Sequence, residues 1–316
     1  MRGVFVPLAY TAMTAIFLDN LLPVLICAGL GYAIHRRSHL DVRSVSQIVF
    51  YIFSPCFIFD SLLNSEVGGG ALAQMTGYTW TVILAMLLCG AAVGWALGLD
   101  RRRLATLVVS ATFVNGGNFG LAIVKFAFGA EALSYALAFF IASTFAVYTA
   151  GVFIAGLGRA QAAAAARELL KVPAFYAVIA AEILRLAGWT LPLPVERAVA
   201  LMGDAAIPVM LIVLGMQISA SRLQSLVGRQ WIPVGASVVL QLIVAPAVAW
   251  LLAGLFGLNG DALRAGVLEA SMPAAVITTV IAMQYDLDLE MTTAAVVLTT
   301  FLSPLTLTPL IYWLGR

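Results

Sequence analysis

The chain has 316 residues, of which 62% are hydrophobic and only 10% charged, and its mean hydropathy is +1.02. Soluble domains carry roughly a quarter charged residues, so this composition excludes a soluble fold and predicts an integral membrane protein surrounded by lipid. The net charge of +2 is too small to favour nucleic acid as a partner. The three cysteines lie in apolar stretches without metal-ligand spacing, which indicates burial rather than disulfide or metal chemistry.

Apolar stretches of roughly 20 residues, each able to cross a hydrocarbon core of about 30 Å, follow one another along the chain. Ten transmembrane helices are predicted, over residues 16–34, 43–64, 76–99, 103–129, 131–157, 172–189, 196–219, 231–256, 261–285 and 290–314. The fold class is therefore an all-α polytopic membrane protein. Residues 1–12 are interpreted as an interfacial lead-in, or as preceding a start at Met13.

Basic residues concentrate in alternate joints between the predicted helices. Arg36, Arg37 and the run 101–103 lie on one side, together with the basic residues of the central joint, whereas the opposite joints hold fewer. By the positive-inside rule, this asymmetry predicts that both termini lie outside a cell inner (plasma) membrane.

The two halves of the chain resemble each other in the placement of helix breakers. A charged segment, 158–171, separates a first five-helix unit, 1–157, from a second, 172–316. Pro23 and Pro55 in the first unit correspond to Pro173 and Pro208 in the second. Because five helices are an odd number, the two units enter the membrane from opposite sides, which predicts a 5+5 inverted repeat of the kind found in secondary transporters.

Two of the predicted helices carry strong helix breakers near their centres, at 115–118 and at 272–274, and are expected to unwind there. Unwound backbone at membrane depth is tolerated only where it lines a cavity, and the half-helices that begin after each break offer N–H groups to a carboxylate. The alternatives are that the glycines only allow close helix packing and that the proline is an ordinary kink. The residues predicted to bind substrate are Asn115, Gly116, Gly117, Asn118, Met272, Pro273 and Ala274.

Ionisable side chains inside the spans are costly and therefore candidates for ion coupling or structural support. Asp60, Asp204, Glu269 and Lys125 are assigned this role, and all four are predicted to lie in the outer half of the membrane. Three carboxylates would repel an anion unless one is protonated or paired, which suggests H+ coupling and leaves Na+ coupling open. The structural alternatives are a hydrogen bond between Asp60 and Asp204, and a Lys125 that pairs with Glu269 or extends to the interface.

Four segments carry a family resemblance: NGGNFGLAIVKFAFG from Asn115, IPVMLIVLGMQIS from Ile207, ASMPAAVITTVIA from Ala270 and SPCFIFDSL from Ser54. With them, nearly the whole chain resembles the auxin efflux carrier family, which includes bacterial malate and malonate permeases and the plant auxin exporters. The resemblance assigns Asn115, Gly117, Asn118 and Pro273 to the two breaks and Asp60 to a facing helix. One departure is Ala122, because bacterial relatives often have proline after the Gly-Leu pair.

The resemblance implies the fold shared by bile-acid symporters and sodium/proton antiporters, in which two interrupted helices cross at the substrate. Helices 1, 2, 6 and 7 would form a scaffold, often dimeric, so a homodimer through these helices is expected. Helices 3–5 and 8–10 would form the transport unit.

The expected function is secondary active transport of a small organic anion, such as malate, malonate or an auxin-like acid, by alternating access and without a cofactor. A cation/proton antiporter of the same fold is the alternative, although amides stand where it would want carboxylates at the breaks. A channel is disfavoured by the two broken helices. An intramembrane aspartyl protease, the enzyme alternative, fails because Leu201 replaces the first glycine of the Gly-x-Gly-Asp motif before Asp204.

Overall fold

The computed structural model describes residues 12–38, 40–65, 67–156, 171–220 and 231–316. Except for Ala12 and Lys171, the predicted lead-in 1–12 and the predicted linker 158–171 lie outside this described part. Within it the chain is almost entirely helical, and its only extended pairing is an antiparallel bridge between Val114 and Ala274. The division into two five-helix units stays a prediction.

The helices are labelled in chain order. They are α1 (Ala12–Ser38), α2 (Val42–Leu63), α3 (Gly69–Ala96), α4 (Arg101–Thr112), α5 (Gly116–Ala155), α6 (Pro173–Ala187), α7 (Leu193–Ala220), α8 (Trp231–Leu255), α9 (Gly260–Ala270), α10 (Ile277–Gln284) and α11 (Leu289–Leu314). Among the described residues, seven helices are long and apolar enough to cross a membrane: α1, α2, α3, α5, α7, α8 and α11. The chain is therefore a polytopic, all-α membrane protein.

Aspartates define where three of these helices begin. Asp41 accepts hydrogen bonds from the backbone N–H groups of Arg43 and Ser44 before α2, at 3.2 and 3.0 Å. Asp100 and Asp288 cap α4 and α11 in the same way. A side-chain oxygen at this position satisfies N–H groups that have no partner within the helix, so these short polar joints fix the starts of the apolar segments.

A single glycine divides α5 into two parts, 116–128 and 130–155. Gly129 has φ 84° and ψ −165°, a backbone conformation that only glycine adopts readily. The joint predicted between residues 129 and 131 is thereby confirmed.

Helices α1 and α7 pack backbone against backbone. A methyl group at Gly31 would lie 2.0 Å from the carbonyl oxygen of Ile212, and one at Gly215 would lie 1.7 Å from that of Ala28. Small residues allow this close approach between helices in membranes. Helix α2 packs against both α6 and α7, so the four helices that the resemblance assigns to a scaffold form a contiguous group.

Candidate functional site

The two interruptions meet in the middle of the structure. The N–H of Asn115 donates a 2.7 Å hydrogen bond to the carbonyl of Pro273, and the N–H of Ala275 donates a 2.8 Å bond to the carbonyl of Phe113. Each break thus satisfies backbone groups of the other, which is required where no water competes. We call these two segments, residues 113–115 and 271–276, the crossing.

Side chains of α8 and α11 hold the second half of the crossing. Gln241 Nε2 donates a 3.0 Å hydrogen bond to the carbonyl of Met272. Thr299 Oγ1 accepts a 3.1 Å bond from the N–H of Ala274. Sequence reasoning missed both side chains, although Gln241 is the only amide in an otherwise largely apolar predicted span, 231–256. Met272 and Ala274 are fully buried, and their backbone groups build the crossing.

The hydroxyl of Thr299 is expected to stabilise the crossing measurably. Thr299→Val keeps the shape of the side chain but leaves the buried N–H of Ala274 without an acceptor, so the free energy of unfolding should fall by about 1–3 kcal/mol. Thermal unfolding in detergent measures the change. Thr300→Val is the matched control, because the Thr300 hydroxyl bonds only the carbonyl of Val296 in its own helix. Equal shifts for the two variants would contradict the proposed contribution of Thr299.

The glycine pair of the first break lies after the interruption rather than within it. Gly116 and Gly117 belong to the first turn of α5, and the unwound residues are 113–115. The glycines provide space: a methyl group at Gly117 would lie 2.6 Å from the ring of Phe140, and one at Gly116 would lie 2.6 Å from Oε2 of Glu269. The prediction that the helix unwinds at the glycines was therefore wrong, because pairing with the second break sets the interruption.

Two asparagines flank the glycines at the start of α5. Asn115 is only 5% exposed, and its Nδ2 atom donates no hydrogen bond to any described residue. Asn118 is half-buried on the same turn, which contacts α7. The start of α5 thus combines an unused amide donor with the positive end of a helix, two features that favour an anionic group.

Glu269 of α9 lies against the same turn of α5. It is fully buried, and neither of its carboxyl oxygens makes a hydrogen bond within the described part of the chain. A methyl group at Gly120 would lie 2.6–2.8 Å from its carboxyl atoms. The structure thus adds a carboxyl group to the crossing beside the two asparagines.

Of the two structural alternatives for Lys125, pairing with Glu269 is not found among the described residues. Lys125 is exposed, and the carboxyl of Glu269 has no partner in the described residues. Lys125 follows Gly120 by five positions, which is about 140° around a helix at 3.6 residues per turn. The lysine therefore leaves α5 on a different face, as its extension toward the interface requires.

Asp60 and Asp204 are neighbours but are not joined by a hydrogen bond. The carboxyl of Asp60 accepts a 3.1 Å bond from Nδ2 of Asn64, the residue that follows α2, and Asp204 is exposed. The structural alternative of a hydrogen bond between the second and seventh helices is not found among the described residues. The helices meet instead where Gly203 approaches the backbone of Phe57.

These features define a polytopic membrane protein in which two interrupted helices cross at a buried polar centre. The family model described as membrane transport protein matches residues 16–312, and the chain belongs to this family of transporters, the auxin efflux carrier family. The chain is 25% identical to an uncharacterized transporter of Methanothermobacter thermautotrophicus over 90% of its own length and 94% of the relative's. It is also 25% identical to an uncharacterized transporter of Methanocaldococcus jannaschii, over 90% and 95% of the two chains. A Rhizobium meliloti protein named "Putative malonate transporter" is 29% identical over 85% of each chain.

Proposed function

We propose that the protein is a secondary active transporter that moves a small organic anion, a carboxylate such as malate, malonate or an auxin-like acid, across the membrane. The observation that carries this proposal is the buried Nδ2 atom of Asn115, which donates to no described residue at the point where α5 begins. An amide donor next to a helix N-terminus suits a carboxylate and needs no fixed cation. The malonate named for the Rhizobium meliloti relative is a substrate of this class.

The proposed mechanism is alternating access around the crossing. Ten spans would form a 5+5 inverted repeat in the inner membrane with both termini outside. The contiguous group of α1, α2, α6 and α7 would be the scaffold and the contact surface of a homodimer, and the other helices would move against it. The close packing of α1 on α7 supports a rigid scaffold, because backbones in direct contact leave little room for relative movement.

Coupling to an ion would use the ionisable side chains of the spans, with H+ and Na+ as the candidate ions. Asp60, Asp204, Glu269 and Lys125 are proposed for coupling or support. The position of Glu269 also favours a second candidate, a cation/proton antiporter of the same fold, because it places a buried carboxyl group beside the crossing.

Reconstituted protein is expected to show saturable flux of a carboxylate. Purified protein in proteoliposomes is given labelled malate, malonate or indole acetate, after a thermal-shift screen in which a bound carboxylate raises the unfolding temperature by mass action. Proton flux driven by Na+ or K+ without any carboxylate would favour the antiporter. If the folded protein shows neither binding nor saturable flux for any carboxylate, the anion transporter is rejected.

A further inference from the structure

Glu269 is an acidic side chain enclosed by the first turn of α5. Its exposed fraction is 0%, and a methyl group would lie 2.6 Å from its Oε2 atom at Gly116 and 2.6–2.8 Å from its carboxyl atoms at Gly120. Larger residues at these two positions would occupy the space of the carboxyl group. The glycines therefore form a fitted recess for this side chain at the crossing.

No charged group compensates this carboxyl within the described residues. Helix α8, which packs on α9, carries no charged side chain in the described residues. The charged side chains of the other helices packed on α9, namely Lys125, Glu131 and Glu290, are exposed, and within α9 Arg264 pairs with Asp261. The tyrosines of these helices, among them Tyr78, Tyr135 and Tyr312, make no hydrogen bond to it either. An ionised carboxylate in such surroundings is far costlier than a neutral one.

We propose that Glu269 is a proton-binding site, protonated in the conformation described here, and that its proton travels together with the carboxylate substrate. Only the second part of this inference, that the proton travels with a carboxylate, rests on the proposed function. The proton is taken up from water on the side to which the crossing is open, stays on the carboxyl while the recess is closed, and leaves to water on the other side.

A proton suits this recess better than a metal cation. Cations such as Na+ are held by several oxygen atoms, whereas two backbone carbonyls on the turn that forms the recess already accept helical hydrogen bonds. The carbonyl of Asn115 accepts from the N–H of Gly120 at 3.0 Å, and that of Gly116 accepts from the N–H of Leu121. The described residues also contain no group of three or more His, Cys, Asp or Glu side chains that could hold a metal ion.

Proton and anion are linked because they share the start of α5. A carboxylate bound beside Asn115 repels an ionised Glu269 and favours its protonated form. By reciprocity, protonation of Glu269 strengthens the binding of the anion by the same factor. The two ligands therefore bind together and move in the same direction.

The experiment compares the native protein with Glu269→Gln, which mimics the protonated carboxyl, and with the exposed-acid control Glu290→Gln. In lipid nanodiscs at neutral pH, the infrared spectrum should contain the C=O stretching band of a protonated carboxylic acid. The band should be lost in Glu269→Gln and kept in Glu290→Gln. An acidic exterior should drive accumulation of labelled malonate in proteoliposomes of the native protein and of the control, whereas Glu269→Gln should only equilibrate malonate.

The affinity for malonate gives a quantitative test. Over a pH range in which malonate stays fully ionised, the affinity of the native protein for malonate should fall as the pH rises. The fall should be at most about tenfold per pH unit, which is the limit for linkage to one proton. The affinity of Glu269→Gln should not change with pH. Gradient-driven accumulation in this variant, or a native spectrum without the band, would overturn the proposal.

Two further results separate the proton site from the anion transporter. If the band disappears in Glu269→Gln but the native protein binds no carboxylate, the proton site stands and the anion transporter fails. If Glu269→Gln does not fold, Gly120→Ala replaces it, because its methyl group must displace the carboxyl and shift the band. An unshifted band in Gly120→Ala would contradict the assignment to Glu269.

Discussion

Gly215→Ala is expected to lower the free energy of unfolding by about 3 kcal/mol, the upper end of the usual cost of overpacking. The added methyl group would lie 1.7 Å from the carbonyl oxygen of Ala28 and 2.7 Å from the backbone nitrogen of Tyr32. Backbone atoms inside a helix cannot rotate away as the end of a side chain can. Helices α1 and α7 must therefore separate, and they lose contacts along their whole interface.

A change on the facing helix should behave in the same way, and its neighbour provides the control. Gly31→Ala brings a methyl group to 2.0 Å from the carbonyl oxygen of Ile212, whereas Gly29→Ala, two residues earlier in α1, meets no atom within 4 Å. Gly29→Ala should gain up to about 1 kcal/mol from helix propensity. Thermal unfolding in detergent, with the yield of monodisperse protein, measures all three variants. A Gly215→Ala protein as stable as Gly29→Ala would show that α1 and α7 do not touch in this way.

The sequence predicts the helices well because hydropathy and breakers act locally. The polar joints at Asp41, Asp100 and Asp288 lie at the starts of helices in the structure. The exact position of the first break was not predictable in the same way. Phe113 and Val114 are apolar residues in a helical context, and they are extended only because they pair with residues 273–275, which are distant in sequence.

The same holds for the candidate site: residues with a local signal were predicted, and contacts between distant segments were not. Asn115 and Pro273 are recognisable as breakers in the sequence, and the structure brings them together in one hydrogen bond. Gln241 and Thr299 were missed because their partners are backbone groups of another segment. For Lys125, depth in the membrane left both pairing with Glu269 and extension to the interface open, because depth says nothing about the face of the helix from which a side chain leaves.

Asn115→Leu is expected to separate stability from function. Leucine keeps the branched skeleton of asparagine, with two methyl groups in place of the amide oxygen and nitrogen, and it removes a buried donor that serves no described residue. Replacing an unsatisfied buried polar group by an apolar one is nearly neutral or stabilising. The unfolding temperature without ligand should therefore be unchanged or higher. Binding of malonate should weaken about 10- to 100-fold, since a hydrogen bond to a charged group contributes about 1.5–3 kcal/mol.

Thr299→Val is the opposite control for this prediction, because that hydroxyl serves the N–H of Ala274. It should lower the unfolding temperature, whereas Asn115→Leu should lower only the affinity, measured by the ligand-induced thermal shift and by flux. A loss of stability in Asn115→Leu as large as that in Thr299→Val would identify Asn115 as a structural side chain. The two variants are expected to differ in unfolding temperature for one physical reason. The Thr299 hydroxyl already accepts a hydrogen bond within the crossing, whereas the Asn115 amide is left to donate one to a ligand.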